Sequence, residues 1–420
     1  MPIRPIQIFA GYAVRVGAIA ALAPFSLALA SPAMAAQDAA ADDGADTAAD
    51  SCASGDITID GNFPASAFAR CTRLGKDHFR LDIVQEDPKV RNCSPWYAFR
   101  LSGPAKANVR VDLNYDACGH RYWPKQSSDG QSWMPLSRKQ VTVEKKGDVA
   151  QATLKLKTGD APLFVAAQEL IVPATYDGWM TAAARSPLVT RARLGQSSEG
   201  RPIDMLSIRQ PDATPREQVV LIGRQHPPEI TGATALFAFA GRLLADDPLA
   251  VRFRQRFETV VVPLMNPDGV VHGHWRHNMG QTDLNRDWGP FVQPETQIMR
   301  DMLEQMDADP ARKLRLFLDF HSTQKDVVYT IPEDEVTDPA GFTKAWLARY
   351  QELVPDYEVR EQAGHNANSP VSKAWVHERF RVPTATYELG DETDRQLIRK
   401  VAEAAAVAMM ETLLATDPAN

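Results

Sequence analysis

Hydrophobic residues change rhythm three times along this chain, and each rhythm predicts a different kind of structure. From residue 16 to 30 they form an apolar run interrupted by Pro24, preceded by Arg4 and Arg15 and followed by Ala33-Met34-Ala35. A basic start, an apolar run shorter than the roughly 20 residues of a membrane span, and an Ala-x-Ala site predict a secretory signal peptide over 1–35. Export to the periplasm or the exterior is expected, with no permanent membrane span once the leader is cut. Residues 37–51 then offer Ala, Asp, Gly and Thr without large apolar side chains. Such a segment cannot offset its ordering entropy, so 36–52 is expected to be a disordered tether.

From 57 to about 172 the apolar positions alternate in short segments such as 96–101, 109–113 and 152–156, separated by Gly, Pro, Asn and Asp. Short, regularly spaced strands predict a small antiparallel β-sandwich over 53–173. After Tyr176 apolar runs alternate with long stretches of helical period, which predicts an α/β domain over 174–416, a mixed β-sheet covered by helices. Strands are expected at 218–222, 258–264, 314–320 and 384–389, and helices at 230–245, 295–306, 339–353 and 395–415.

Composition narrows the class. With 44% hydrophobic and 24% charged residues the chain can bury large cores, which excludes disordered and fibrous proteins. Lys+Arg 46 against Asp+Glu 53 gives a net charge of -7 without a basic block, so nucleic acid is not an expected partner. Nothing in the sequence sets an oligomeric state. The four cysteines, Cys52, Cys71, Cys93 and Cys118, all fall within one 67-residue stretch. They lack the paired C-x-x-C spacing of a zinc site, and in an exported chain they predict two disulfides. Of the three connectivities, Cys52 with Cys71 and Cys93 with Cys118 is the expected one.

Candidate chemistry begins where the strand 218–222 runs into His226, Pro227, Pro228 and Glu229. Spacing of three lets the His and the Glu reach one ion, and the prolines fix the backbone, Pro228 suiting a first helical position. Taken alone this is a common turn. Its meaning changes with His321, directly after the strand 314–320, and Glu388, inside the end of the strand 384–389. Groups at the carboxyl ends of parallel strands converge in one crevice. Two His, one Glu and a water make a catalytic zinc set, for which Glu388 would be the base.

These residues resemble the zinc metallocarboxypeptidase family. The resemblance rests on Leu194 to Pro202, His226 with Glu229, Asn266-Pro267-Asp268-Gly269, Trp275-Arg276, Asp283-Leu284-Asn285-Arg286, Asp319-Phe320-His321-Ser322 and Tyr387-Glu388-Leu389. With Trp96 to Arg100 in the β-rich segment, it is most similar to the cytosolic carboxypeptidase branch and its bacterial relatives. It implies one zinc ion per chain held by His226, Glu229 and His321, with Glu388 as base and Arg276 polarising the scissile carbonyl. It also implies Asn285 and Arg286 on the substrate's terminal carboxylate, and Asp283 orienting a metal-bound His from behind. The substrate would be the C-terminus of a peptide or protein.

Two other readings are compatible with parts of this pattern: an amidohydrolase of the aspartoacylase or desuccinylase type acting on N-acyl amino acids, and a non-catalytic binding module. There is also a departure, because the pancreatic-type enzymes carry a mobile Tyr before the catalytic Glu and residues 364–375 contain none. His365, Asn366, Asn368 and Ser369 are polar residues of that loop. His272, His274 and His277 read as a cleft-edge loop, and Met299, Met302 and Met306 as core packing.

Overall fold

A computed structural model describes residues 51–87, 93–146 and 149–418. The expected signal peptide, and the expected tether up to residue 50, lie outside the described residues. Ser51 and Cys52, assigned above to the tether, instead open a strand, Ser51–Ser54, paired with Ile57–Asp60.

The β-rich part forms two sheets. One runs Ser51–Ser54, Ile57–Asp60, Ala98–Ser102, Leu163–Ala166, Lys125–Ser127, Met134–Pro135; the other runs Arg70–Arg73, His78–Ile83, Asn108–Tyr115, Val149–Lys157, Val141–Lys146. Their inner faces share a core built on Ile59, Phe79, Leu81, Leu101, Val111, Leu113 and Leu154. The expected antiparallel pattern holds except at one pair: His78–Ile83 lies parallel to Asn108–Tyr115. The chain between them visits the other sheet as Ala98–Ser102, so it reverses twice and returns in its first direction. The structure pairs Cys52 with Cys71 and Cys93 with Cys118, at Cα separations of 5.6 and 5.3 Å.

The second part is an eight-stranded sheet of β1 (Val189–Gln196), β2 (Pro202–Ile208), β3 (Glu217–Gly223), β4 (Phe257–Val262), β5 (Lys313–Thr323), β6 (Val327–Thr330), β7 (Glu361–Ala363) and β8 (Thr384–Gly390). Its order is β1-β2-β4-β3-β5-β8-β6-β7. The central strands β4, β3, β5 and β8 are parallel; β2 and β6 join them antiparallel, β1 is antiparallel to β2, and β7 is parallel to β6. Among the described residues there are eight α-helices: α1 (Pro173–Ala183), α2 (Ile230–Arg242), α3 (Pro248–Arg256), α4 (Pro267–Val271), α5 (Pro294–Ala308), α6 (Phe342–Leu353), α7 (Ser372–Phe380) and α8 (Arg395–Leu414).

The four strands and four helices expected here correspond to β3, β4, β5, β8 and α2, α5, α6, α8. β3 is buried along its whole length, which is why it reads as one apolar run rather than an alternation. Its alternate residues still divide between faces: Val219 and Leu221 join the core under α2 and α8, while Val220 and Ile222 join Trp288, Met299 and Met302 on the other side. Among the described residues no helix is long and apolar enough to cross a membrane.

Candidate metal centre and substrate cleft

Strand register brings the ionisable groups together. β5 and β8 are parallel with His321 opposite Glu388. Paired residues share a face, so the period of two sets Asp319 and His321 of β5 beside Thr386 and Glu388 of β8. β5 continues to Thr323, so His321 lies within the strand rather than after it. From the end of β3 the turn carrying His226 and Glu229 is braced by Arg224, a buried residue held in the left-handed region at φ 57°. Its guanidinium donates to the Pro227 carbonyl at 2.9 and 2.6 Å and to the Tyr176 hydroxyl at 2.9 Å. α2 starts at Ile230, where the expected helix 230–245 begins, with Glu229 as its cap, so Pro228 lies in the turn before it. Gly232 is needed in its first turn, because a Cβ there would lie 2.5 Å from the His321 carbonyl oxygen.

His226, Glu229 and His321 offer three ligand atoms, all within 4.8 Å of one another. Each imidazole turns Nδ1 to the Glu229 carboxylate, at 2.8 Å for His226 and 2.7 Å for His321. Each Nε2 is anchored from behind, His226 by Asp283 at 2.8 Å and His321 by Asp319 at 2.9 Å. Two imidazoles converging on a carboxylate, with outer nitrogens fixed by further carboxylates, fit a divalent zinc-type cation. Asp283 also accepts from Arg276 Nε at 2.6 Å, so one carboxylate aligns both His226 and Arg276.

The electrostatics follow from burial and neighbours. Burial pushes the Glu388 carboxyl up to about 7, and Glu229 adds to the rise against the opposing pull of His321, His226 and Arg276. For Glu229 and Asp283 burial acts upward, but the charges and hydrogen bonds of the imidazoles, with Arg276 in the case of Asp283, hold them well below the ordinary carboxylate range. Asn285 and Arg286 line the same cleft, beside His365, Asn366 and Tyr329. Asn285 Oδ1 accepts from the Ser372 amide at 2.9 Å, which sets the orientation of its side chain. Arg286 donates to the Asn285 carbonyl at 2.7 Å and has no ion-pair partner among the described residues. Asn368 and Ser369 stay outside the cleft. His272 and His274 bind Glu199 and the His277 carbonyl, and neither joins the ligand group. Met299 and Met302 are core residues, with Met306 packed against them.

Several residues escaped the sequence reading. Asp319 had a signal: it is a charged residue two positions before His321, on the same face of a buried strand. Lys373, at the start of α7, is buried in the cleft with Nζ on the carbonyls of His365 at 2.5 Å and Thr330 at 3.3 Å, and burial pulls its ammonium down to about 8. Glu86 comes from the sandwich. Its carboxylate accepts the amides of Trp275, Arg276 and His277 at 2.8, 2.8 and 2.7 Å, fixing the loop that carries Arg276. Tyr329 brings a tyrosine into the cleft from β6, its ring stacked 4.1 Å from that of His365.

Residues 176–405 match the zinc carboxypeptidase family. Human cytosolic carboxypeptidase 6 is 32% identical over 139 residues, 31% of this chain and 28% of that protein. The Caenorhabditis elegans protein of the same name is 26% identical over 187 residues, 41% of this chain and 40% of that one. The matched segment thus spans well under half the length of these relatives. A metallo-carboxypeptidase structure from Burkholderia cenocepacia superposes with TM-score 0.70 at 20% identity, covering 85% of this chain and 98% of that one. One from Pseudomonas aeruginosa gives 0.66 at 20% identity, with 85% and 98% covered. At this identity both likenesses speak to the fold, and they include the β-rich part.

Proposed function

The chain belongs to the zinc carboxypeptidase family, and from that premise we propose that it removes residues singly from the free C-termini of peptides, acidic ones preferentially. The observation that carries this is a pair of cations, Arg286 and Lys373, lining the cleft beside the ligand trio, neither ion-paired among the described residues. A cation left without a carboxylate in a cleft is completed by an anionic substrate. Arg286 with Asn285 suits the terminal carboxylate, because the guanidinium fork pairs with both oxygens. Lys373 suits a side-chain carboxylate.

His226, Glu229 and His321 would hold the family's single zinc, which would supply a Lewis acid to polarise the scissile carbonyl and make water nucleophilic near neutrality. Glu388 takes one proton from a water molecule as the water oxygen adds to the carbonyl carbon. It then delivers the proton to the leaving nitrogen as the C–N bond breaks, so water is added across the bond. A carboxyl raised toward 7 suits both halves of that exchange. Arg276, fixed by Asp283, donates to the oxygen as it gains charge. Asp283 and Asp319 keep the outer imidazole nitrogens occupied, so that Nδ1 of each faces inward.

An exported enzyme is the reading supported by the leader-like residues 1–35 and the two cysteine pairs. Assay of the purified chain on peptides and on N-acyl amino acids, with and without a chelator, tests the proposal. Chelator-sensitive release of the last residue from peptides is expected. Hydrolysis of N-acyl amino acids alone would assign the site to the amidohydrolases, and no hydrolysis of either would leave a binding module.

A further inference from the structure

The sandwich side of the cleft presents a cation that the hydrolysis above does not use. Ser94 and Arg121 line the same cleft as the ligand trio. Arg121 donates through Nη1 to Ser94 Oγ at 2.8 Å and to the Cys93 carbonyl at 3.3 Å. Through Nε and Nη2 it donates to the two oxygens of Asp391, at 2.8 and 3.3 Å. Those bonds occupy four of the five N–H groups a guanidinium carries, and the side chain keeps 17% exposure. The fork is fixed in orientation before any substrate arrives. The Cys93–Cys118 pair ties together the two segments that supply Ser94 and Arg121.

Along β8 and its end, Glu388 stands between two cations. Lys373 donates to the Thr330 carbonyl at 3.3 Å, and Thr330 pairs with Ala385, three residues before Glu388. Arg121 donates to Asp391, three residues after it. A chain whose last residue lies at Arg286 and Lys373 and whose scissile carbonyl lies at the trio extends along that line toward Arg121.

We infer that Arg121, steadied by Ser94 and Asp391, is a subsite for the substrate segment preceding the scissile bond, where it binds an acceptor oxygen of an upstream residue. The inference rests on the carboxypeptidase reading. The oxygen is either a main-chain carbonyl or an acidic side chain, and the two are separable. A hand-hold upstream of the cleaved bond makes substrate length matter, whereas an N-acyl amino acid has nothing to place there.

The experiment compares peptides of two, three and four residues sharing one C-terminal residue, the longer ones made with Ala or Glu upstream. In the wild type kcat/KM should rise at least tenfold from dipeptide to tetrapeptide. In Arg121→Gln that ratio should collapse to below threefold. Arg121→Lys, which keeps the charge without the fork, should fall between. Because Arg121→Gln leaves Asp391 buried without its partner, the double variant Arg121→Gln/Asp391→Asn is read in the same way if the single one fails to fold. A length effect lost equally for Ala and Glu peptides assigns the main-chain carbonyl. A preference for upstream Glu that vanishes in the variant assigns the acidic side chain. An unchanged length ratio in the variants, with or without a uniform loss of activity, overturns the inference and leaves Arg121 a tie between sandwich and sheet. A wild type that cleaves no peptide overturns the carboxypeptidase reading itself.

Discussion

Replacing Glu86 by Gln should weaken both the fold and the catalytic step, although Glu86 sits in the sandwich and touches no ligand residue. Its carboxylate receives three consecutive amides, those of Trp275, Arg276 and His277. Burial acts to raise its pKa, but these bonds and the His277 ring bring it from 4.5 down to about 2. At about 1.4 kcal/mol per unit the difference corresponds to about 3 kcal/mol of stability. Since the folded value is the depressed one, this stability is fully present above pH 4.5 and is lost as pH falls toward 2. Urea unfolding should therefore find Glu86→Gln about 3 kcal/mol less stable at pH 7, with the gap to wild type narrowing between pH 5 and 3. The amide keeps the shape but loses the charge and one acceptor oxygen, so the loop loosens around Arg276. A donor aimed at the developing oxyanion is worth about 100-fold or more in kcat, so partial misplacement should lower kcat at least tenfold with little change in KM. Wild-type stability together with wild-type kcat in Glu86→Gln would refute a positioning role.

Other consequences are testable in the same preparations. Glu388→Gln should keep zinc near one per chain while kcat/KM falls by about 100-fold or more, since an amide cannot accept the proton; retention of a tenth of the activity would return Glu388 to a structural strand residue. Lys373, brought to about 8 by burial, is charged below that pH and neutral above it. The kcat/KM preference for C-terminal Glu over Gln should therefore be full at pH 6 to 7 and fade as pH rises past 8, and a flat profile would remove Lys373 from specificity. The double variant Cys93→Ser/Cys118→Ser, opening a bridge of sequence separation 25, should lose about 3 kcal/mol of stability and also part of the tetrapeptide advantage, because Cys93 and Ser94 hold Arg121; a loss of stability alone would contradict that link.

What could be read from the sequence was what local pattern carries. β3, β5 and β8 announce themselves as apolar runs, and His226, Glu229, His321 and Glu388 sit at or beside their carboxyl ends, so the candidate centre is legible from spacing. Groups whose meaning comes from another element were not legible. Arg224 reads as a turn residue until its guanidinium is seen bracing the Pro227 carbonyl. Glu86 and Arg121 belong to a part of the chain without a catalytic motif, and only the docking of sandwich on sheet brings them to Arg276 and Asp391. Lys373 lies in a loop-to-helix segment whose depth in the cleft is set by tertiary packing. The parallel strand pair in the sandwich was missed for a related reason, because alternation reports a strand's faces and not its direction.

The central claim is that a free terminal carboxylate, held by Arg286 and Asn285, is what makes a bond cleavable here. One comparison tests it most directly: wild-type kcat/KM on a peptide with a free C-terminus against the same peptide amidated. Losing the charge and one acceptor should cost about 2 kcal/mol or more, a fall of at least tenfold, and Arg286→Ala should fall similarly on the free acid with little further loss on the amide. Equal cleavage of the two peptides by the wild type would contradict the account.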